Sequence, residues 1–396
     1  MKTLLADLGF ERNADSIRGF MVQAWLVALL ALMASWSVVR WFQMQRVDAF
    51  SSEGDAHGLP FMKHTLVMML QLALGAGIIA GGARLIRTVM STPLAAVVIS
   101  PPAEARVLAL GPADILQVGA RAGYFMIDRS AKKTMPTGVD SRDLRGVGGV
   151  LVRGDEVWIA SEQGLYRKQG NQLDTAMTHD GGQLGPAYCL LQLRDGRLLA
   201  GGAGRLHEQS KEGVWTTQQV AALDRISVLY EDSKGRLWAG SDTPNRGGLL
   251  RLDPKTSAFV DASHGLPHRS VCDLAEDGDG KLWIATGFAA FGGAASWDEG
   301  TRTWLPLNGP PGLEGRKMRS LFLDSTGALW FCSEYDGIAI LKGGQWHQRL
   351  YRQGFPCREV IDTVEANGGI WLATERGVLF LEHHPLETLI PQAFKP

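Results

Sequence analysis

From about residue 106 onward, short apolar runs alternate with polar positions and are punctuated by turns of Gly, Asp and Ser. That is the pattern of half-buried strands joined by hairpins. The stretch EDSKGRLWAGS (Glu231–Ser241) shows the unit: an acidic strand end, a Gly turn, then a strand rising to Trp and small residues. It recurs as EDGDGKLWIAT from Glu276 and LDSTGALWFCS from Leu323. With Trp238 as anchor, the equivalent positions are Leu116, Trp158, Leu199, Trp283, Trp330 and Trp371, in steps of 42, 41, 39, 45, 47 and 41 residues. A second rhythm runs through the fourth strands, where Leu173, Trp215, Phe259, Trp304 and Trp346 step by 42, 44, 45 and 42. Seven anchors at this spacing predict an all-β fold, a seven-bladed β-propeller of four-stranded blades over 106–396. A blade cannot bury both faces alone, so each large ring is expected to fill the gap to its neighbour rather than to hold a ligand.

The first ninety-one residues read differently. Gly19–Val39 is uncharged over 21 residues and Thr65–Ala83 over 19, each long enough for a helix to cross a bilayer core. Trp36, Trp41 and Phe42 gather at one end of the first, where amphipathic rings favour an interface. A two-helix transmembrane hairpin is therefore expected over 1–91. In its second helix Ala73, Gly77 and Gly81 recur every fourth position, the spacing at which small residues let membrane helices approach. Residues 92–105 read as a Pro-containing linker. Two ways of closing the ring stay open: the apolar run Leu94–Ser100 could add the outer strand of the last blade, or ETLIPQ near the C-terminus could. The second is favoured.

Charge narrows the partners. The formal net charge is −1, with basic residues scattered, which argues against a nucleic-acid partner and leaves the lipid bilayer and proteins. Lys2, Arg12, Arg18, Arg84 and Arg87 share the side of the termini, against Arg40, Arg46 and Lys63 in the 25-residue loop between the spans. This mildly favours a cytoplasmic propeller on a bacterial inner membrane. The four cysteines (Cys189, Cys272, Cys332 and Cys357) fall in different blades with no zinc or disulfide spacing, and they point the same way.

In the units from Trp238 onward, the order V-x-x-L-x-E-D-x-x-G-x-L-W-I-A-T resembles the two-component regulator propeller repeat. A G-L-P entry precedes it at Gly265-Leu266-Pro267, with a looser copy at Gly354-Phe355-Pro356. The resemblance implies a sensor domain outside the cytoplasm, as in hybrid histidine kinases. This chain departs from that pattern: its membrane segments precede the propeller and no kinase follows, so a signal is expected to pass through another protein.

Chemical motifs are sparse. Asp277 and Asp279 stand in a D-x-D-G order like that of a calcium loop, but Phe288 occupies the place of the required Glu, so a turn-stabilising carboxylate is the better reading. No metal cluster, cofactor fingerprint or nucleophile elbow is found, and no catalytic residue is assigned. One pattern stands out. Thirteen residues before each anchor lies the start of an innermost strand, and Arg145, Lys317, Arg225 and Arg358 occupy it, with Arg269 one earlier and Arg319 two later. Together with His268 they would face the mouth of the central channel and meet an anionic ligand or acidic partner segment. The plainer reading is ordinary surface cations paired with acids such as Asp143, Asp224 and Glu359. The expectation is a non-catalytic sensor or scaffold that binds a ligand or protein. The alternative is an enzyme, because the repeat is also similar to that of streptogramin lyase propellers, with a site in the funnel.

Overall fold

The structure is a computed structural model that describes residues 96–99, 102–140, 144–253, 256, 258–307, 315–351, 355–366, 368–382 and 384–386. The chain divides into two compact units, Met1–Thr92 and Pro93–Pro396. The expected spans, with Ala73, Gly77 and Gly81, lie outside the described residues. Among the described residues, no helix is long and apolar enough to cross a membrane.

The second unit is a seven-bladed propeller of four-stranded antiparallel sheets. Blades I–VI each take four consecutive strands, ordered from the channel outward. Blade IV shows the plan: inner strand Val228–Glu231, second Leu237–Ser241, third Gly248–Asp253 and outer Ala258–Asp261. Every anchor falls in a second strand, and the second-strand tryptophans are buried. Trp238 packs on Val271, Leu274 and Ile284 of blade V, Trp330 on Val360 and Leu372 of blade VII, and Trp371 on Leu108 and Leu116 of blade I. The rings are thus the cement between blades, as the repeat predicts. Gly240, two residues after its Trp, lies so close to the next blade that a Cβ there would meet Val271 at 2.7 Å.

Ring closure differs from the favoured expectation. The outer strand of blade VII is Ala96–Ile99, antiparallel to Gly377–Leu381 with Ala96 opposite Leu381 and Ile99 opposite Val378. The propeller thus begins inside the stretch read as a linker. The β-branched run AVVI suits a strand, and Ile99 is buried in the core shared by blades VII and I. ETLIPQ contains Pro391, which has no N–H to give to a ladder.

The hairpins between inner and second strands lie at one end of the ring. Gly235, Gly280 and Gly327 take φ of 74°, 75° and 76° there, a turn conformation that only glycine adopts without strain. The Asp three residues before each glycine is a fixed latch. Asp232, Asp277 and Asp324 accept the indole Nε1–H of Trp238, Trp283 and Trp330 at 2.9, 2.8 and 2.7 Å. Each also accepts two backbone N–H bonds from its own turn. From the following blade in the ring, Glu276 and Glu365 accept N–H and Oγ–H from Ser233 and Ser325. The acids of the repeat are therefore consumed in holding turns and blades together, which answers why they recur.

Candidate functional site: the mouth of the channel

The opposite end of the ring carries the start of every inner strand and the turn that leaves every second strand. In five blades the inner strand is bulged near this end, between Ala105/Val107, Ala187/Cys189, Val271/Asp273, Met318/Ser320 and Val360/Asp362. A bulge leaves one residue unpaired and re-aims it. The residues so released are Arg106, Tyr188, Cys272, Arg319 and Ile361. The charge of Arg106 is felt with those of Glu162, Arg121, Glu104 and Arg225, and burial lowers its pKa. Arg106 is the cation that the fixed-offset reading missed: it lies ten rather than thirteen residues before its anchor, because Leu116 pairs with Leu110 across a shorter hairpin register than Trp330 with Phe322.

All six basic residues singled out by the repeat stand at this end, but few are free. Arg225 forks onto Asp242, with Nε–Oδ1 at 2.9 Å and Nη2–Oδ2 at 2.5 Å, and its guanidinium lies 4.7 Å from the centre of the Tyr188 ring. Lys317 is buried and meets Glu334 at 3.1 Å. Arg319 bridges Glu334 at 2.9 Å and Glu359 at 2.5 Å, the second a close charge contact without hydrogen-bond alignment. Burial raises the pKa of Glu359, and the Arg319 charge opposes that rise. Arg145 is exposed, and its carbonyl accepts the N–H of Glu162. Arg269 donates to the carbonyl of Gly247 at 3.2 Å. The guanidinium of Arg358 lies 4.9 Å from the Tyr351 ring centre, while the backbone N–H of Arg358 donates to Glu375. Neither Arg269 nor Arg358 has a carboxylate at ion-pair distance among the described residues.

The partner acids are mostly not those expected from sequence. Glu359 does pair with Arg319, and Asp224 meets Arg246 rather than Arg225. Asp143 lies outside the described residues. The others, Glu162, Asp242, Glu334 and Glu375, each sit four residues after the second-strand Trp of their blade. That offset was readable beside the cation offset. Placed just past the second strand, each acid lies level with the inner-strand start it faces.

Farther along the inner strands, Asp273 and Asp362 are half-buried. Burial pushes their pKa values up to about 7 and about 6, and the Asp362 charge adds to the rise at Asp273. Each binds the next blade: Asp273 accepts the N–H of Leu321 at 2.9 Å, and Asp362 that of Leu108 at 2.7 Å. His268 accepts the N–H of Ser270 at Nδ1, and burial, helped by Lys317, lowers its pKa, so it is neutral near pH 7. No group of three or more His, Cys, Asp and Glu side chains could hold a metal among the described residues. What stands at the mouth is a set of paired and stacked cations, the chemistry that suits carboxylate or phosphate contacts.

Fold and mouth together define a seven-bladed propeller with a charged, solvent-open channel end. Two stretches, 222–243 and 265–288, match the two component regulator propeller family. They are the entries, inner strands and second strands of blades IV and V. No curated protein matches the sequence significantly. Among solved structures, the extracellular domain of BT3049 from B. thetaiotaomicron, assigned to a hybrid two component system, superposes with a TM-score of 0.59 at 18% identity. It covers 72% of this chain and 40% of that one, so this chain spans less than half of that protein. YCF48 bound to D1 peptide gives 0.57 at 14% identity, covering 77% of this chain and 98% of that one. Virginiamycin B lyase from Staphylococcus aureus gives 0.55 at 12% identity over 72% and 97%. At these identities the likeness shows a shared fold.

Proposed function

We propose that the chain is a membrane-anchored, non-catalytic binding module of the sensor or scaffold kind. Its channel mouth takes an anionic ligand or an acidic segment of a partner. The observation that carries this reading is the gathering of cations from blades I, II, IV, V, VI and VII at one end of the ring. Two likenesses support it: repeats of the two component regulator propeller type, and a propeller of the same fold seen bound to a peptide. The expected spans over 19–39 and 65–83 supply the anchor. Placement of the ring outside the cytoplasm is favoured by the extracellular BT3049 relative. The cysteines no longer oppose it, since burial pushes the thiols of Cys189, Cys272 and Cys332 up to about 12 and keeps them inert in either compartment.

The test uses the full chain in lipid nanodiscs with labelled octaglutamate as probe. Salt-dependent binding that weakens at least about tenfold in the Arg145→Ala/Arg225→Ala variant supports the mouth as the site. Unchanged affinity removes it. Protease digestion of the propeller in intact spheroplasts checks the compartment; protection until lysis would put the ring inside.

A further inference from the structure

Every exposed aromatic ring among the described residues lies in one place. Phe288, Phe291, Tyr335 and Tyr351 all stand at the mouth end of blades V and VI, while the other described rings are buried or half-buried. Four rings left in water on two neighbouring blades are not the scatter of single apolar residues that a surface tolerates. Phe291 is 73% exposed. The hairpin bearing it extends the second strand to Phe288 and starts the third at Phe291, with Ala289 forced to φ 51° at the tip.

Backbone hydrogen bonds tie these rings and three exposed arginines into one strip. Gly287 donates to Ser270 at 2.8 Å, which sets Phe288 beside Arg269. Gly292 donates to Gly315 at 3.2 Å, which sets Phe291 beside Arg316. Arg316 meets Asp336 at 3.4 Å, next to Tyr335. Tyr351 donates to the carbonyl of Asp336, and Gly337 to that of Arg358, both at 3.0 Å. Cation, ring, cation, ring and cation therefore follow one another across blades V and VI to the edge of blade VII. Among the described residues the three arginines have one carboxylate at ion-pair distance, Asp336 on Arg316; Asp261 is near enough for the Arg269 charge to lower its pKa, Glu375 accepts the backbone N–H of Arg358, and Glu334 is taken by Lys317 and Arg319.

We propose that this strip docks an extended segment of a partner protein in which acidic and apolar residues alternate. The alternation of rings and arginines selects that occupant: apolar side chains cover the rings, and carboxylates complete Arg269, Arg316 and Arg358. A neutral sugar would use the rings and leave the arginines unmatched. Aromatic residues and arginine are also the types that concentrate binding energy at protein interfaces. The inference rests on the reading of this end of the ring as a recognition face; it shares Arg269 and Arg358 with the channel mouth and adds Arg316 and the four rings, whereas Arg145 and Arg225 belong to the mouth alone.

The experiment uses the full chain in nanodiscs and two labelled peptides, one alternating Asp with Phe and Leu, the other alternating Asp with Ser. Empty nanodiscs correct for partition into lipid. The apolar-acidic peptide is expected to bind more tightly than its Ser counterpart, and Phe291→Ser to weaken it by about thirtyfold, the effect of losing a central aromatic anchor. Phe291 is an exposed tip residue, so its variant should keep the wild-type melting temperature; Tyr335→Ala gives a second reading from another loop. Equal affinity for the two peptides, or indifference to both variants, overturns the proposal. So does a neutral oligosaccharide that binds through Phe291 while the peptides do not. Loss of binding in Arg145→Ala/Arg225→Ala with Phe291→Ser unaffected would keep the mouth and remove the strip. The reverse pattern would keep the strip and remove the mouth.

Discussion

The two ends of the ring use the same side chains in opposite ways. At the hairpin end, Asp232, Asp277 and Asp324 accept an indole N–H and two backbone N–H groups each, all from fixed positions. At the mouth, Asp242, Glu334 and Glu359 meet arginine and lysine side chains on long stems; Arg225 and Arg319 remain partly open to water, while Lys317 is buried. A carboxylate held by backbone is a structural part. In the function proposed above, one held by side-chain cations alone is a placeholder that a ligand carboxylate or phosphate would displace, unlike Asp232, which Arg236 and the backbone hold together. Position in the repeat thus decides which acids build the blade and which leave the blade's cations available.

Breaking the hairpin end should have the largest effect. Asp324→Ala removes the acceptor of Trp330, of Thr326 and Ala328 N–H, and of His384 Nε2 at 2.7 Å. Orphaning buried donors costs about 1–3 kcal/mol each, so a loss of about 3 kcal/mol or more is expected in denaturant unfolding. A loss below about 1 kcal/mol would mean these acids are no more structural than those at the mouth. A sharper version compares two tryptophans of equal role. Trp238 gives its N–H to Asp232, whereas the indole N–H of Trp371 is buried with no acceptor. Trp238→Phe should therefore destabilise by about 1 kcal/mol more than Trp371→Phe, the worth of one hydrogen bond. Equal losses would show that ring packing alone matters.

The hairpin end was legible in the sequence almost residue by residue, because a repeat writes each latch several times over. Trp, Gly and Asp recur at fixed offsets, and backbone geometry leaves few ways to satisfy them. The mouth was legible only as a list of cations. Which acid meets which cation depends on register, and five inner-strand bulges shift that register by one residue. Arg106 was passed over because the hairpin register of blade I differs too, which puts it ten residues before its anchor. The offset of Glu162, Asp242, Glu334 and Glu375 from their tryptophans was present in the sequence and was not used. Closure by Ala96–Ile99 was visible only as one of two alternatives, since a single strand outside the repeat carries no periodic signal. The aromatic strip had no sequence signature: Phe288, Phe291, Tyr335 and Tyr351 meet only because adjacent blades bring their loops together.

The channel carboxylates test where the boundary between the two ends lies, since they bind backbone N–H groups yet line the axis. Their folded pKa values, about 7 for Asp273 and about 6 for Asp362, stand above the unfolded value near 3.9. The folded state therefore holds protons that the unfolded state releases. Their favourable contribution is complete below about pH 4 and is lost as pH rises through 6 and 7. His207 works the other way: burial lowers it to about 4, so its contribution is lost as pH falls from 6.5 toward 4. Between pH 8 and 6.5 the carboxylates contribute about 1 kcal/mol and His207 opposes with about 0.4, so acidification should stabilise by about 0.5 kcal/mol, or about 1 °C in melting temperature. Asp273→Asn/Asp362→Asn should flatten that slope even if it lowers stability throughout. A slope that survives in the variant would place the titrating groups elsewhere.

The smallest effect on stability is expected where the functional claim is strongest. Arg225 and Asp242 are both more than a third exposed, so water screens their attraction and hydrates whichever partner remains. Stacking on Tyr188 adds a contact of the cation–π kind, worth about 0.5–1 kcal/mol at such a site. Arg225→Ala should therefore cost less than about 1 kcal/mol in unfolding, while Arg225→Lys keeps the charge but loses the fork and should restore octaglutamate binding only in part. A cost above about 2 kcal/mol would make Arg225 a clamp of the hairpin-end kind, with its fork committed to Asp242. A small cost with full loss of probe binding would mean that the same ion pair holds little of the fold and most of the recognition, which is what distinguishes a placeholder from a latch.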